Sequence, residues 1–218
     1  MSGSGSTSPY ALAAEFVVLF VLLPLSFRFR LVPLPPIPAL WLLMAYCLVR
    51  LLGDPAFDRS ALWKADLLPA AAPQILAIFA ACAALVSAGV YVLAPGMLFN
   101  FVRRAPGFWA LVMMLYPILS VYPQGIVYRA FFFERYRPLF PNPELLIAMS
   151  AIAFGFAHII FRNPVAVVFT LAGGLLFAWR YAGTGSLAVS SFEHALYGCF
   201  MFTIGLGEFF YKGARLRG

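Results

Sequence analysis

Charge is what this sequence has least of. Asp, Glu, Lys and Arg make up 11% of its 218 residues and hydrophobic residues 63%, where a soluble domain carries about 25% charged and about 45–50% apolar residues. With a mean hydropathy of +0.91, the chain cannot cover a water-facing surface, which excludes a soluble enzyme or soluble binding module. Lysine is nearly missing: Lys64 and Lys212 are the two in the chain, so the net charge of +7 belongs to arginine. Those arginines are scattered at the ends of apolar segments. That is the pattern of positive flanks that set topology and meet anionic head groups, and it argues against a nucleic-acid surface. Cys47, Cys82 and Cys199 all fall in apolar runs with no CxxC spacing, which speaks against disulfides or thiolate metal ligands. Histidine occurs twice, at 158 and 194. A catalytic zinc wants three protein ligands and a water, so zinc is not expected and no cofactor is assigned.

What the chain does have is apolar segments of the length that crosses a bilayer, about 20 residues. One all-α polytopic transmembrane bundle of seven or eight helices is therefore expected over 1–218, with no soluble domain. The opening MSGSGSTSP reads as a short disordered tail, residues 1–10, without the basic start of a signal peptide. Spans are expected at about 11–27, 37–52, 73–93, 145–161 and 164–181, with a last one from about Ser186. Glu15 is placed at an interface. LVPLPPIP is a proline-rich hairpin, and 53–72 an interfacial loop or short amphipathic helix. The segment 108–140 is too long for one straight crossing and is divided near Val121, with Pro117 and Pro123 as the kink. Ala172, Gly173 and Gly174 allow close helix approach. Seven crossings would put Arg28, Arg30, Arg103, Arg104, Arg162 and the basic tail on one, cytoplasmic, side.

Three costly polar groups recur inside apolar runs: Arg129 in VYPQGIVYRAFFFERYR, His158 in AFGFAHII and His194 in SSFEHALYG. An ionisable group at membrane depth is tolerated when it faces protein or water and has a partner. One shared intramembrane pocket is the simplest expectation, with hydrogen-bonded packing residues as the bland alternative. Arg129 could equally tie helix ends together through several carbonyls. Phe154 reads as core packing that walls the cavity.

YPQGIVYRAFFFERY, FGFAH and EHALYG, in that order, resemble the CPBP family of intramembrane proteases, which includes the CAAX prenyl endopeptidases and bacteriocin-processing relatives. Its motifs are EExxxR, FxxxH and HxxxN or a close variant, and the resemblance covers about 108–210. It implies an endopeptidase in which a glutamate, helped by a histidine, activates a water while His and Asn donors stabilise the oxyanion. Carried onto this chain, the catalytic positions are Gln124, Gly125, Arg129, His158 and His194, with Phe154, Gly198 and Cys199 around the substrate and oxyanion. Neither motif glutamate is present, and Gly198 or Cys199 stands near where the asparagine would be. Substitute acids worth seeking are Glu193 and Glu134, then Glu208 and Glu15. Neighbours on a helix point about 100° apart, which turns Glu193 away from His194, whereas position 125, four before Arg129, is where an acid would pair with it.

Two functions are carried forward: intramembrane peptide-bond hydrolysis, and a non-catalytic relative that binds a hydrophobic peptide or lipid as a scaffold. A small transporter is a weaker third. Expected partners are membrane lipid and a hydrophobic or membrane-associated peptide, without nucleic acid, in a bacterial inner membrane.

Overall fold

A computed structural model describes residues 8–211. Among them there is no strand, and seven apolar helices carry the architecture. They are α1 (Pro9–Arg28), α2 (Pro36–Leu52), α3 (Ala65–Leu93), α4 (Pro106–Tyr136), α5 (Pro143–Phe161), α6 (Pro164–Thr184) and α7 (Leu187–Ile204). Six have the length and hydropathy to cross a membrane, and α2, at 17 residues, is the shorter apolar helix. The protein is an integral membrane protein. The expected disordered tail falls mostly outside the described residues, but α1 already begins at Pro9, a residue suited to a first helical turn because its missing N–H has no partner to lose there. The basic tail beyond 211 is likewise outside them.

Two boundaries differ from expectation. The third helix starts before Pro73, because Pro69 sits in its first turn and the chain is already helical from Leu68. The expected loop keeps two short 3₁₀ turns, Arg59–Leu62 and Ala65–Leu67. It is pinned to the bundle: the Tyr122 hydroxyl donates to the Leu62 carbonyl (2.9 Å), and Ser186 Oγ to those of Trp63 and Lys64 (3.2 and 3.1 Å).

The long segment is not divided. α4 is one helical run of 31 residues, about 46 Å against a hydrocarbon core of about 30 Å. The two prolines loosen it without breaking it, and Pro117–Val121 and Ile126–Phe131 are π-helical. Pro123 cannot donate to the Leu119 carbonyl four residues back. The indole N–H of Trp41 on α2 reaches that carbonyl instead, at 3.0 Å. The π stretch exposes the Tyr128 carbonyl sideways, where Ser150 Oγ of α5 donates to it at 2.6 Å. Such bulges turn side chains that a regular helix would not place together.

Small residues set the α5–α6 contact as expected. A Cβ at Gly174 would meet the Phe154 ring at 3.0 Å and Ala151 Cα at 3.2 Å, and one at Gly155 would meet Leu171 Cα at 3.1 Å. Glu15 is not merely interfacial: it accepts from Tyr46 (2.5 Å) and from Arg135 Nε (2.7 Å), joining α1, α2 and the end of α4.

A second charged contact is buried. Arg180 of α6 grips Glu193 of α7 through Nε (2.9 Å) and Nη2 (3.2 Å), while its Nη1 donates to Gln74 of α3 at 2.7 Å. Glu193 is fully buried. Removing one partner leaves the other charged and unpaired, which costs about 3–5 kcal/mol, whereas replacing both by apolar residues costs far less. Glu193→Gln is therefore expected to lower unfolding stability in detergent by about 3–5 kcal/mol, with the Arg180→Leu/Glu193→Leu double variant nearer the parent; thermal unfolding followed by circular dichroism checks both.

Candidate functional site

The candidate site is organised around the ring of Phe154 on α5. Arg129 of α4 sits over it, with Cζ 4.3 Å from the ring centroid and 5.4 Å from that of Phe177 on α6. His158, one turn further along α5, contacts the same ring at 4.7 Å between centroids, and His194 of α7 meets it edge-on at 5.4 Å. His194 also stacks on Phe177, at 4.5 Å and 22°. Three helices thus bring Arg129, Phe154, His158 and His194 around one ring, with Phe177 of α6 beside them; of the four, His158 alone lines the cavity described next.

The imidazoles are held differently. His158 Nδ1 lies 2.7 Å from the Phe154 carbonyl oxygen. A carbonyl only accepts, so Nδ1 carries the proton and Nε2 keeps the lone pair. His158 lines a cavity of about 140 Å³ together with Ser120, Gln124 and Tyr128, and apolar residues of α1 and α2 complete its wall. His194 Nε2 lies 3.4 Å from the Tyr116 hydroxyl. Gly198, one turn after His194, is where that tyrosine fits: any Cβ at 198 would run into its ring and hydroxyl. Tyr116 therefore fills the place on α7 where the family pattern has an asparagine. Cys199 points elsewhere, lining a separate groove with Phe79, Phe192 and Phe200.

Arg129 is 1% exposed, and none of its three side-chain nitrogens has a hydrogen-bond partner among the described residues. The expectation that it ties helix ends through carbonyls is not met. Its compensation is the pair of aromatic faces, each contributing about 0.5–2 kcal/mol, against a desolvation penalty of several kcal/mol for a buried ion. Arg129 is left under-compensated.

Around position 125 the other polar atoms are short of partners too. Gln124 Nε2 donates to Ser120 Oγ at 2.7 Å, but Gln124 Oε1 and Ser191 Oγ are buried without partners. A Cβ on Gly125 would point at α7, meeting Leu187 Cδ1 at 2.9 Å and Ser191 Oγ at 3.0 Å. A side chain there would face the helix that carries His194, and Leu187 now packs into that space.

No substitute acid reaches Arg129. All eight Asp and Glu residues of the sequence lie within 8–211. Glu193 is clamped by Arg180, Glu15 is bound to Arg135 and Tyr46, and Glu208 accepts from Asn100 at 3.1 Å. Glu134 is half-buried near the end of α4 and makes no ion pair with Arg129. No group of three or more His, Cys, Asp or Glu side chains that could hold a metal ion occurs among the described residues.

Arg180, Tyr116 and Ser191 escaped the sequence reading. A partner for Glu193 could have been sought, because a carboxylate in an apolar run needs a cation, and Arg180 is the one basic residue of the preceding span. Tyr116 and Ser191 carry no comparable signal.

A polytopic helical bundle with two imidazoles and a guanidinium converging on one buried ring is an intramembrane polar site of the kind used on membrane-embedded chains. Residues 106–200 match the family described as Rce1-like, type II CAAX prenyl endopeptidase. This match supports a protein of CPBP type over that stretch. No curated protein and no solved structure matches it.

The Gly198–Tyr116 contact gives a stability test. Gly198→Val should destabilise the protein by roughly 1–3 kcal/mol, the cost typical of overpacking, and adding Tyr116→Ala should recover much of that loss; equal losses in the two backgrounds would show that the contact does not exist.

Proposed function

We propose that this chain is a CPBP-fold protein that engages a hydrophobic, membrane-associated peptide at the Gln124–His158 cavity without hydrolysing it at an appreciable rate. The observation that carries this reading is the missing base. The position facing α7 and preceding Arg129 by four is Gly125, and the nearest carboxylate along α7, Glu193, is neutralised by two bonds from Arg180. A peptide carbonyl is a poor electrophile, so its hydrolysis needs a group that takes a proton from water and donors where negative charge develops. Gln124 can orient a water but cannot take its proton. Loss of a general base costs about 10²–10⁴ in rate.

What remains is suited to binding. Ligand pockets usually measure about 300–1,000 Å³, so a cavity of about 140 Å³ takes a single side chain or hydrocarbon chain. Its polar end, formed by Gln124, Ser120 and His158, can hold one peptide unit. The family's printed name makes prenylated CAAX-type peptides the first ligands to try, and helical spans accord with a bacterial inner membrane.

A second reading, hydrolysis with His158 as base, is favoured by one feature: His158, whose Nε2 keeps its lone pair, lines the same cavity as Gln124. Reporter-peptide cleavage in liposomes separates the two. The chain as it stands should cleave at background. Gly125→Glu combined with Leu187→Ala, which clears the space a side chain at 125 needs, should raise cleavage by at least about 10²-fold, and adding His158→Ala should abolish it. Cleavage by the unaltered chain that His158→Ala removes would establish the second reading instead.

A further inference from the structure

Next to residues that line the cavity, at the end of α1 and the α5–α6 turn, stand charges that the peptide reading does not use. α1 ends in Arg28 and Arg30, the α5–α6 turn carries Arg162, and the two meet: Arg162 Nη2 donates to the Arg28 carbonyl at 2.7 Å. Arg30 and Arg162 are exposed, Arg28 is half-buried, and no acid pairs with any of the three among the described residues. Partial desolvation and then the charges of Arg30 and Arg28 push the Arg162 guanidinium below its ordinary value. Three like charges held together at a helix end repel one another unless an anion joins them.

The residues beside these arginines line the cavity. Phe27 precedes Arg28, Ile160 and Phe161 precede Arg162, and Pro36 and Ile37 open α2 across the hairpin from Arg30. From there the wall is apolar down to Ser120, Gln124 and His158. An anionic rim above a hydrocarbon-lined slot would repel a phospholipid; a cationic rim attracts one.

We propose that these arginines mark the cavity's mouth and form a seat for an anionic phospholipid, its phosphate held by Arg28, Arg30 and Arg162 and one acyl chain entering the cavity between α1 and α2. The charge complementarity is of the juxtamembrane kind, in which basic residues gather acidic head groups. The narrow apolar slot adds what a bare basic flank lacks, a place for the chain. Seated lipid and bound peptide exclude one another, because both need the same space. The proposal stands whether or not the protein cleaves or even binds peptide.

Native mass spectrometry of the full chain in detergent, titrated with phosphatidylglycerol, phosphatidylcholine and inorganic phosphate, tests it. Phosphatidylglycerol should be retained at least about 10-fold more tightly than phosphatidylcholine, and Arg30→Gln/Arg162→Gln should cut its affinity by roughly 10- to 30-fold. The control Arg103→Gln/Arg104→Gln should leave it unchanged. Ala39→Phe, which fills the slot from α2, should weaken phosphatidylglycerol while the protein keeps its melting temperature; if that variant fails to fold, the arginine pair and its control still decide. Equal loss in the Arg103/Arg104 control, no preference between the lipids, or inorganic phosphate binding as tightly as phosphatidylglycerol would each overturn the proposal.

Discussion

The site depends on one buried contact, the guanidinium of Arg129 laid on the ring of Phe154. That stack fixes α4 against α5, and Phe177 on the second side draws in α6. His158 and His194 are placed by the same two rings. Gly174 leaves the room that Phe154 needs. The π-helical turn of α4 carries Arg129 inward, and Trp41 and Ser150 satisfy two carbonyls of the stretch that the prolines and the bulge disturb. A charge is therefore held in the centre of the bundle by aromatic faces alone, a weaker form of compensation than an ion pair.

A separate device keeps α7 in place. Arg180 and Glu193 join α6 and α7 at buried positions, and Gln74 extends the link to α3 from a more exposed one. Because Glu193 immediately precedes His194 and neighbours on a helix point about 100° apart, holding Glu193 on Arg180 turns the imidazole onto Phe177, one turn earlier on α6, and toward Tyr116. The same bonds that orient His194 remove Glu193 from any chemistry. The fold gathers two imidazoles and a guanidinium around one aromatic ring, and no carboxylate among the described residues pairs with that guanidinium.

Much of this was legible in the sequence because polar groups in apolar runs are costly and must converge. Arg129, His158 and His194 stand out on that ground, and Phe154 enters through the resemblance of FGFAH to the FxxxH motif of the CPBP family. The under-compensation of Arg129 was legible too, from a glycine four residues before it. The unbroken course of α4 was not, since two prolines in one segment ordinarily signal a break, and the donor that rescues the Leu119 carbonyl comes from a tryptophan 78 residues away in sequence. Arg180 looked like one more arginine at a span end. Tyr116 gave no sign because the glycine it fills, Gly198, reads only as a missing asparagine.

The most direct measurement is the unfolding stability of Arg129→Met in detergent, compared with the parent and repeated in a background carrying Gly125→Glu and Leu187→Ala. In the native background the variant is expected to be neutral or more stable, since an apolar side chain replaces a buried charge that has no counter-charge. In the second background it should cost about 3 kcal/mol or more, because a carboxylate is then left unpaired. A loss of that size in the native background would contradict the claim, by showing that Arg129 is already paired.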